Sequence, residues 1–125
     1  MYAVAVETEF VAQHFLTVPD CDPENERHSH HYGLDVAFEG SELDDRGYLL
    51  DIEWIEEELE RIESRYRDET LNDLPEFEGL NPSVEHFSRV VAESVAESIP
   101  TGRLDAITVT VSEDDVARAA YTHSP

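Results

Sequence analysis

Residues 28–38 read His-Ser-His-His-Tyr-Gly-Leu-Asp-Val-Ala-Phe. His28, His30, Tyr32, Leu34, Val36 and Phe38 share one parity. Side chains of a strand alternate between its two faces, so this stretch is a half-buried strand whose apolar face begins with two histidines. The same pattern occurs just upstream. From Tyr2 to His14, Tyr2, Val4, Val6, Phe10, Ala12 and His14 fall on one side, and Glu7, Glu9 and Gln13 on the other. Thr17 to Arg27, a polar loop with two prolines and several acids, joins the two strands.

Further along, Glu39 to Gly47 contains a turn, and Tyr48 to Arg67 opens with a short apolar stretch that becomes a helix. Ile52, Ile55, Leu59, Ile62 and Tyr66, spaced by three and four, make one apolar stripe, while Glu53, Glu56, Glu57, Glu58, Glu60 and Glu63 read as a solvated face. Asp68 to Leu80 reads as a loop. Asn81-Pro82 reads as an N-cap and first helical residue. The helix that follows has Val84, Phe87, Val91 and Val95 inward and ends by Pro100 and Gly102. Leu104 to Glu113 is a third strand, and Val116 to Thr122, after an Asp114-Asp115 turn, a fourth. The order strand, strand, helix, helix, strand, strand makes one α+β domain over residues 1–125.

Composition narrows the function. The 125 residues hold 30 acidic and 8 basic side chains, for a net charge of -22, and every basic residue is arginine. Nucleic-acid binding requires a basic footprint that this chain lacks, and an anionic membrane surface would repel it. No apolar run approaches the roughly 18 residues of a membrane span. The single cysteine, Cys21, forms no internal disulfide and suits a reducing compartment. No signal peptide is visible at the N-terminus, and we expect a cytoplasmic protein. Self-repulsion at this charge destabilises a fold in dilute buffer, and about 1 M salt, with a Debye length of roughly 3 Å, screens it. The complete lack of lysine points to a salt-loaded cytoplasm rather than to an ordinary acidic protein.

The histidines carry the clearest chemistry. His28 and His30 project to the same side of one strand, roughly 6.5 Å apart along it. His14 lies on the apolar face of the strand before. If the two strands pair antiparallel, three imidazoles meet, and three histidines with an open position are the pattern of a catalytic zinc ion. The plainer reading is a surface histidine cluster at a strand start. Glu113 closes an apolar run on the inward parity. Its carboxylate either reaches solvent at the strand end or is partly buried and pairs with a ligand offering two parallel N–H donors.

These residues resemble, in order and over nearly the whole chain, the motifs of the 6-pyruvoyl-tetrahydropterin synthase and 6-carboxytetrahydropterin synthase family. Phe10-Val11-Ala12-Gln13-His14 is similar to F-x-A-x-H, and His28-Ser29-His30-His31-Tyr32 to H-G-H-N-Y with serine for glycine. Gly47 to Asp51, Leu71-Asn72, Asn81-Pro82-Ser83-Val84-Glu85, Val109 to Glu113 and Ala120-Tyr121 follow where that family has its helix entry, L-N pair, N-P-T-x-E, V-x-V-x-E and closing tyrosine. The resemblance implies the tunnelling fold (T-fold), an antiparallel sheet with two helices on one face, assembled into a barrel as a homohexamer, a dimer of trimers. It also implies zinc on His14, His28 and His30, and 7,8-dihydroneopterin triphosphate or a near relative as substrate. In that pattern Glu113 anchors the pterin ring, and Ser83 and Glu85 line its pocket.

The acid–base positions depart from the family pattern. The family's cysteine is separated from H-G-H by three or five residues. Here the first spacing gives Glu24, as in a subgroup that uses glutamate and cleaves the side chain, while Cys21 is separated from His28 by six residues. Either is a candidate base. The family's Asp-His pair before L-N reads Asp68-Glu69-Thr70, so Asp68 stands for the aspartate and no histidine follows. His31, His86 and His123 remain as alternative proton carriers or ordinary exposed histidines. Three readings follow: a zinc-dependent pterin lyase, a divergent paralogue that binds a pterin or purine-like ring with little turnover, or a zinc-stabilised oligomer without a ligand.

Overall fold

The computed structural model describes residues 1–125. Strand β1 (Tyr2–His14) pairs antiparallel with β2 (His28–Gly40), with Val6 opposite Val36, Phe10 opposite Tyr32 and His14 opposite His28. Opposed residues share a face, so this register places the two apolar parities together, and a slip of one residue would turn one of them out to water. β3 (Ala106–Glu113) pairs with β2, setting Glu113 opposite Tyr32, and β4 (Ala117–His123) pairs with β3 to give the order β1-β2-β3-β4. Asp114 and Asp115 have φ of 53° and 57°, the left-handed pair of a tight hairpin turn, which Val116 closes by donating to the Glu113 carbonyl. That use of Val116 is why β4 starts one residue later than the alternation predicts.

Helices α1 (Ile52–Tyr66) and α2 (Val84–Ser98) cover the apolar face, α1 against β1 and α2 against β3 and β4. One core joins Phe10, Tyr32, Phe38, Ile62, Tyr66, Phe77, Phe87, Val91 and Val109. The expected α1 stripe holds at Ile55, Ile62 and Tyr66, but Ile52, in the first helical turn, is 50% exposed. Glu58, expected in solvent, is buried. Arg61, one turn on along α1, binds both its oxygens and also donates to Ser94 and Ser98 of α2. A carboxylate leaves water only with such partners.

The start of α2 also differs from expectation. Ser83, not Asn81, is the N-cap, its hydroxyl accepting from the His86 amide. Asn81 is occupied elsewhere, accepting from the Thr17 amide at 2.8 Å. Residues 68–80 are more ordered than a plain loop. They carry two short 3-10 turns, Leu71–Asp73 and Pro75–Phe77, and run beside β1 through Asp68 N–H to the Val11 carbonyl and Gln13 N–H to the Glu69 carbonyl. No helix is long and apolar enough to cross a membrane.

The sheet face away from the helices is also acidic, with Glu7, Glu9 and Asp35 close together. Glu7 stands directly opposite Asp35. Burial, and then the Glu7 charge, holds the Asp35 carboxyl above its ordinary range. Of the eight arginines only Arg61, Arg65 and Arg67 form ion pairs with carboxylates. Most of the 30 acids therefore repel one another without local compensation. We expect the melting temperature to rise by more than about 10 °C between dilute buffer and molar salt, corresponding to about 2 kcal/mol or more for a domain of this size. Thermal melts across a potassium chloride series check this, and a flat series contradicts the salt-adapted reading.

Candidate metal centre

His14 ends β1, His28 opens β2 opposite it, and His30 follows two residues on, so all three rings lie on the helix-covered face at one end of the sheet. Their centroids are 4.6 to 4.9 Å apart. Each ring is oriented through Nδ1. His14 Nδ1 meets the Pro82 carbonyl at 2.8 Å, His28 Nδ1 the Glu26 carbonyl at 2.7 Å, and His30 Nδ1 the Asp114 carboxylate at 2.5 Å. Carbonyl and carboxylate oxygens only accept, so each Nδ1 carries the proton. In its neutral form each ring then presents a bare Nε2 lone pair.

Those lone pairs converge. His14 Nε2 and His28 Nε2 stand 3.0 Å apart, and Glu113 Oε1 lies 3.2 Å from His30 Nε2. Acceptors facing one another at such distances repel unless a cation lies among them. One ligand atom from each histidine falls within 4.8 Å of the others, so the three could hold a metal ion. Burial, opposed by the Pro82 contact and reinforced by His28 and His30, pulls His14 down to about 4. It is therefore neutral, with its lone pair available, at ordinary pH. Tyr32, whose hydroxyl lies 3.2 Å from His14 Nδ1, is pushed up by burial and then by Glu113 and Asp114, and stays a neutral phenol.

The neighbouring chain is fixed by side-chain amides. Asn72 accepts from the Phe15 amide at 3.0 Å and donates to the Phe15 carbonyl at 2.9 Å, imitating one more rung of sheet beyond His14. Asn25 donates to the Leu16 and Val18 carbonyls and accepts from the Cys21 amide, which folds the 15–27 loop on itself. Cys21 is half-buried and its thiol donates to the Val18 carbonyl, whereas Glu24 is exposed. Both stand in the loop that joins His14 to His28. Asp68 is an exposed residue with φ of 61°, tied to Val11, three residues before His14 on β1. Ser83 caps α2 and Glu85 is exposed in its first turn, both close in sequence to Pro82.

The structure thus brings His14, His28, His30 and Glu113 together. It leaves Asp68 beside β1, outside that cluster. His31 points to the opposite face of the sheet, 3.6 Å from Glu9. His86 contacts the Asn81 carbonyl, and His123 pairs with Ile107 at the far end of the sheet. Asp114 was not visible as a site residue, since only the β2–β3 register carries the turn back to His30.

A family model for 6-pyruvoyl tetrahydropterin synthase matches residues 3–124. The chain belongs to the 6-pyruvoyl tetrahydropterin synthase family. Its members are pterin-processing enzymes. Comparison with curated proteins gives no significant match. Among solved structures, the 6-pyruvoyl tetrahydropterin synthase of Plasmodium falciparum aligns with a TM-score of 0.83 at 16% identity, covering 99% of this chain and 98% of that one. The Caenorhabditis elegans synthase gives 0.82 at 20% identity with the same coverage. A Plasmodium vivax synthase with its catalytic glutamate replaced by alanine gives 0.82 at 16%, again covering 99% and 98%. The four-stranded antiparallel sheet with two helices on one face is therefore the T-fold, as the motif resemblance implied.

Proposed function

We propose that this member of the family is a zinc-dependent lyase acting on 7,8-dihydroneopterin triphosphate or a close relative, with His14, His28 and His30 as the zinc ligands. The observation that carries the reading is the convergence of three imidazoles, one ring nitrogen of each within 4.8 Å of the others, with each Nδ1 held by an oxygen acceptor. Two nitrogens on one tetrahedral zinc stand about 3.3 Å apart, close to the His14–His28 spacing. His14, His28 and His30 would hold the zinc, which when bound would supply a Lewis acid for a substrate oxygen.

The chain's own groups do the rest. Glu113, on the inward face of β3, accepts two N–H donors from the pterin ring edge, while Ser83 and Glu85 at the start of α2 border the ring. Glu24 is the candidate base at the side-chain carbons: its side chain is exposed in the loop, whereas the Cys21 thiol is already committed to the Val18 carbonyl. The catalytic glutamate of the P. vivax synthase supports a carboxylate in this role.

Asp68 enters through assembly. β4 and the part of β1 before Val11, where residues 68–70 take over the edge, are the open edges of the sheet; β1 and β4 run antiparallel to each other, so β4 of one copy can continue the sheet along the N-terminal part of β1 of the next. Three copies close a barrel, and two such rings make the homohexamer. In that arrangement Asp68, beside the C-terminal half of β1, approaches the neighbour's β4 start and its Glu113.

A second reading is a paralogue that binds a pterin or purine-like ring with little turnover. It is favoured by one observation: no histidine follows Asp68, so the usual second proton carrier is absent. Incubation with 7,8-dihydroneopterin triphosphate in high salt, with separation and identification of products, decides between the two. We expect a shortened-side-chain pterin. Unchanged substrate together with saturable binding supports the paralogue, and neither binding nor turnover removes both readings. Light scattering on the same sample should report a hexamer; a monomer contradicts the barrel.

A further inference from the structure

His14 and His28 are oriented by main-chain carbonyls, but His30 is oriented by a side chain, that of Asp114. Both oxygens of that carboxylate are occupied by β2. Oδ2 takes the His30 Nδ1 proton at 2.5 Å, and Oδ1 accepts from the His31 amide at 2.8 Å. The Asp114 amide in turn donates to the His31 carbonyl at 2.8 Å, so backbone and side chain both hold the turn against the strand.

The other face of the same ring has a competing acceptor. Glu113 Oε1 lies 3.2 Å from His30 Nε2. A neutral imidazole has one N–H, and two carboxylates contend for it. If Glu113 wins, the proton sits on Nε2, the lone pair turns away from His14 and His28, and Glu113 is spent on a histidine. If Asp114 wins, Nε2 is a ligand atom and Glu113 keeps its oxygens for a substrate. The shorter contact, made by a carboxylate anchored at both oxygens, favours Asp114.

We propose that Asp114 is a positioning residue that holds the His30 proton on Nδ1, which keeps His30 a metal ligand and Glu113 free. This rests on the zinc reading above. Partners of ligating histidines are typically worth 10–100-fold in metal affinity. The turn position, with φ of 53°, accepts Gly and Asn as readily as Asp, so Asp114→Gly and Asp114→Asn remove or neutralise the carboxylate while keeping the backbone conformation.

Zinc dissociation constants measured by competition with a chromophoric chelator test the assignment, with circular dichroism confirming the fold of each variant. Asp114→Gly should bind zinc about 10–100-fold more weakly than wild type. Asp115→Gly, at the adjacent turn position, should bind as wild type does. Glu113→Ala added to Asp114→Gly should recover part of the loss, because the competing acceptor is gone; a purely structural turn residue would show no such coupling. Should Asp114→Gly fail to fold, Asp114→Asn with and without Glu113→Ala carries the same comparison. Equal affinity in wild type and the Asp114 variants, equal loss at Asp114 and Asp115, or a double variant weaker than either single one overturns the proposal. A wild-type protein that binds no zinc removes the zinc reading along with it.

Discussion

His28→Ala protein purified from zinc-supplied cells should contain almost no zinc, and its turnover of 7,8-dihydroneopterin triphosphate should fall below about 1% of wild type. The reason is geometric. His28 opens β2 opposite His14, and their Nε2 atoms are 3.0 Å apart. Removing either leaves two nitrogens and open water, and a site that keeps only two of three imidazoles binds a divalent ion far more weakly. Loss of a mere partner of a ligand already costs 10–100-fold, so loss of a ligand should exceed about 100-fold in affinity. His14→Ala carries an added structural cost, because the ring is buried against Tyr32 and the Pro82 carbonyl and its truncation leaves a cavity; His28 and His30 are less enclosed. Elemental analysis and a thermal melt of each single variant separate the two effects. Zinc should be lost in all three, and metal-independent stability chiefly in His14→Ala. A His14, His28 and His30 triple variant that retains one zinc per chain would exclude these ligands, whatever the activity.

The same residues show how much of this molecule is legible from its sequence. Period-two alternation declares β1 and β2 because one face of each is buried, and the shared phase of His14, His28 and His30 with Phe10 and Tyr32 is enough to bring the rings together once the strands pair. Glu113 is legible for the same reason, as the last inward residue of β3. What escapes is whatever depends on closure through space. Asp114 reads as a turn residue, and only the register of β2 against β3 carries it to His30. Asn81 has every local attribute of an N-cap, yet Thr17, distant in sequence, engages its side chain and the helix starts at Ser83 instead. Glu58 sits among glutamates that face water, and only the approach of α2, with Ser94 and Ser98 helping to hold Arg61, explains its burial. Local pattern specifies which faces are apolar; tertiary contacts decide which polar side chains are drawn inside.

The second large effect concerns the base. Glu24→Gln should reduce turnover by about 100-fold or more, within the usual worth of a general base, with zinc content unchanged. Cys21→Ala should leave turnover within about twofold of wild type. The two residues lie in one loop, but the loop treats them differently. Asn25 gathers the Leu16 and Val18 carbonyls and the Cys21 amide, and the Cys21 thiol closes back on Val18, so its sulfur completes the turn. Glu24 uses its backbone there, accepting from the Leu16 amide, and leaves its carboxylate exposed in the loop that joins His14 to His28. A carboxylate is a weaker base than a thiolate, so turnover should be slow, with cleavage of the substrate side chain favoured over the pyruvoyl product. Substrate affinity offers an independent control: Glu113→Ala should weaken pterin binding whichever residue is the base, because ring anchoring belongs to β3 and proton abstraction to the 15–27 loop. If Cys21→Ala abolishes turnover while Glu24→Gln does not, the thiol must leave Val18 to act, and the spacing that aligns Glu24 with the family's base position is wrong by the length of one insertion in the 15–27 loop.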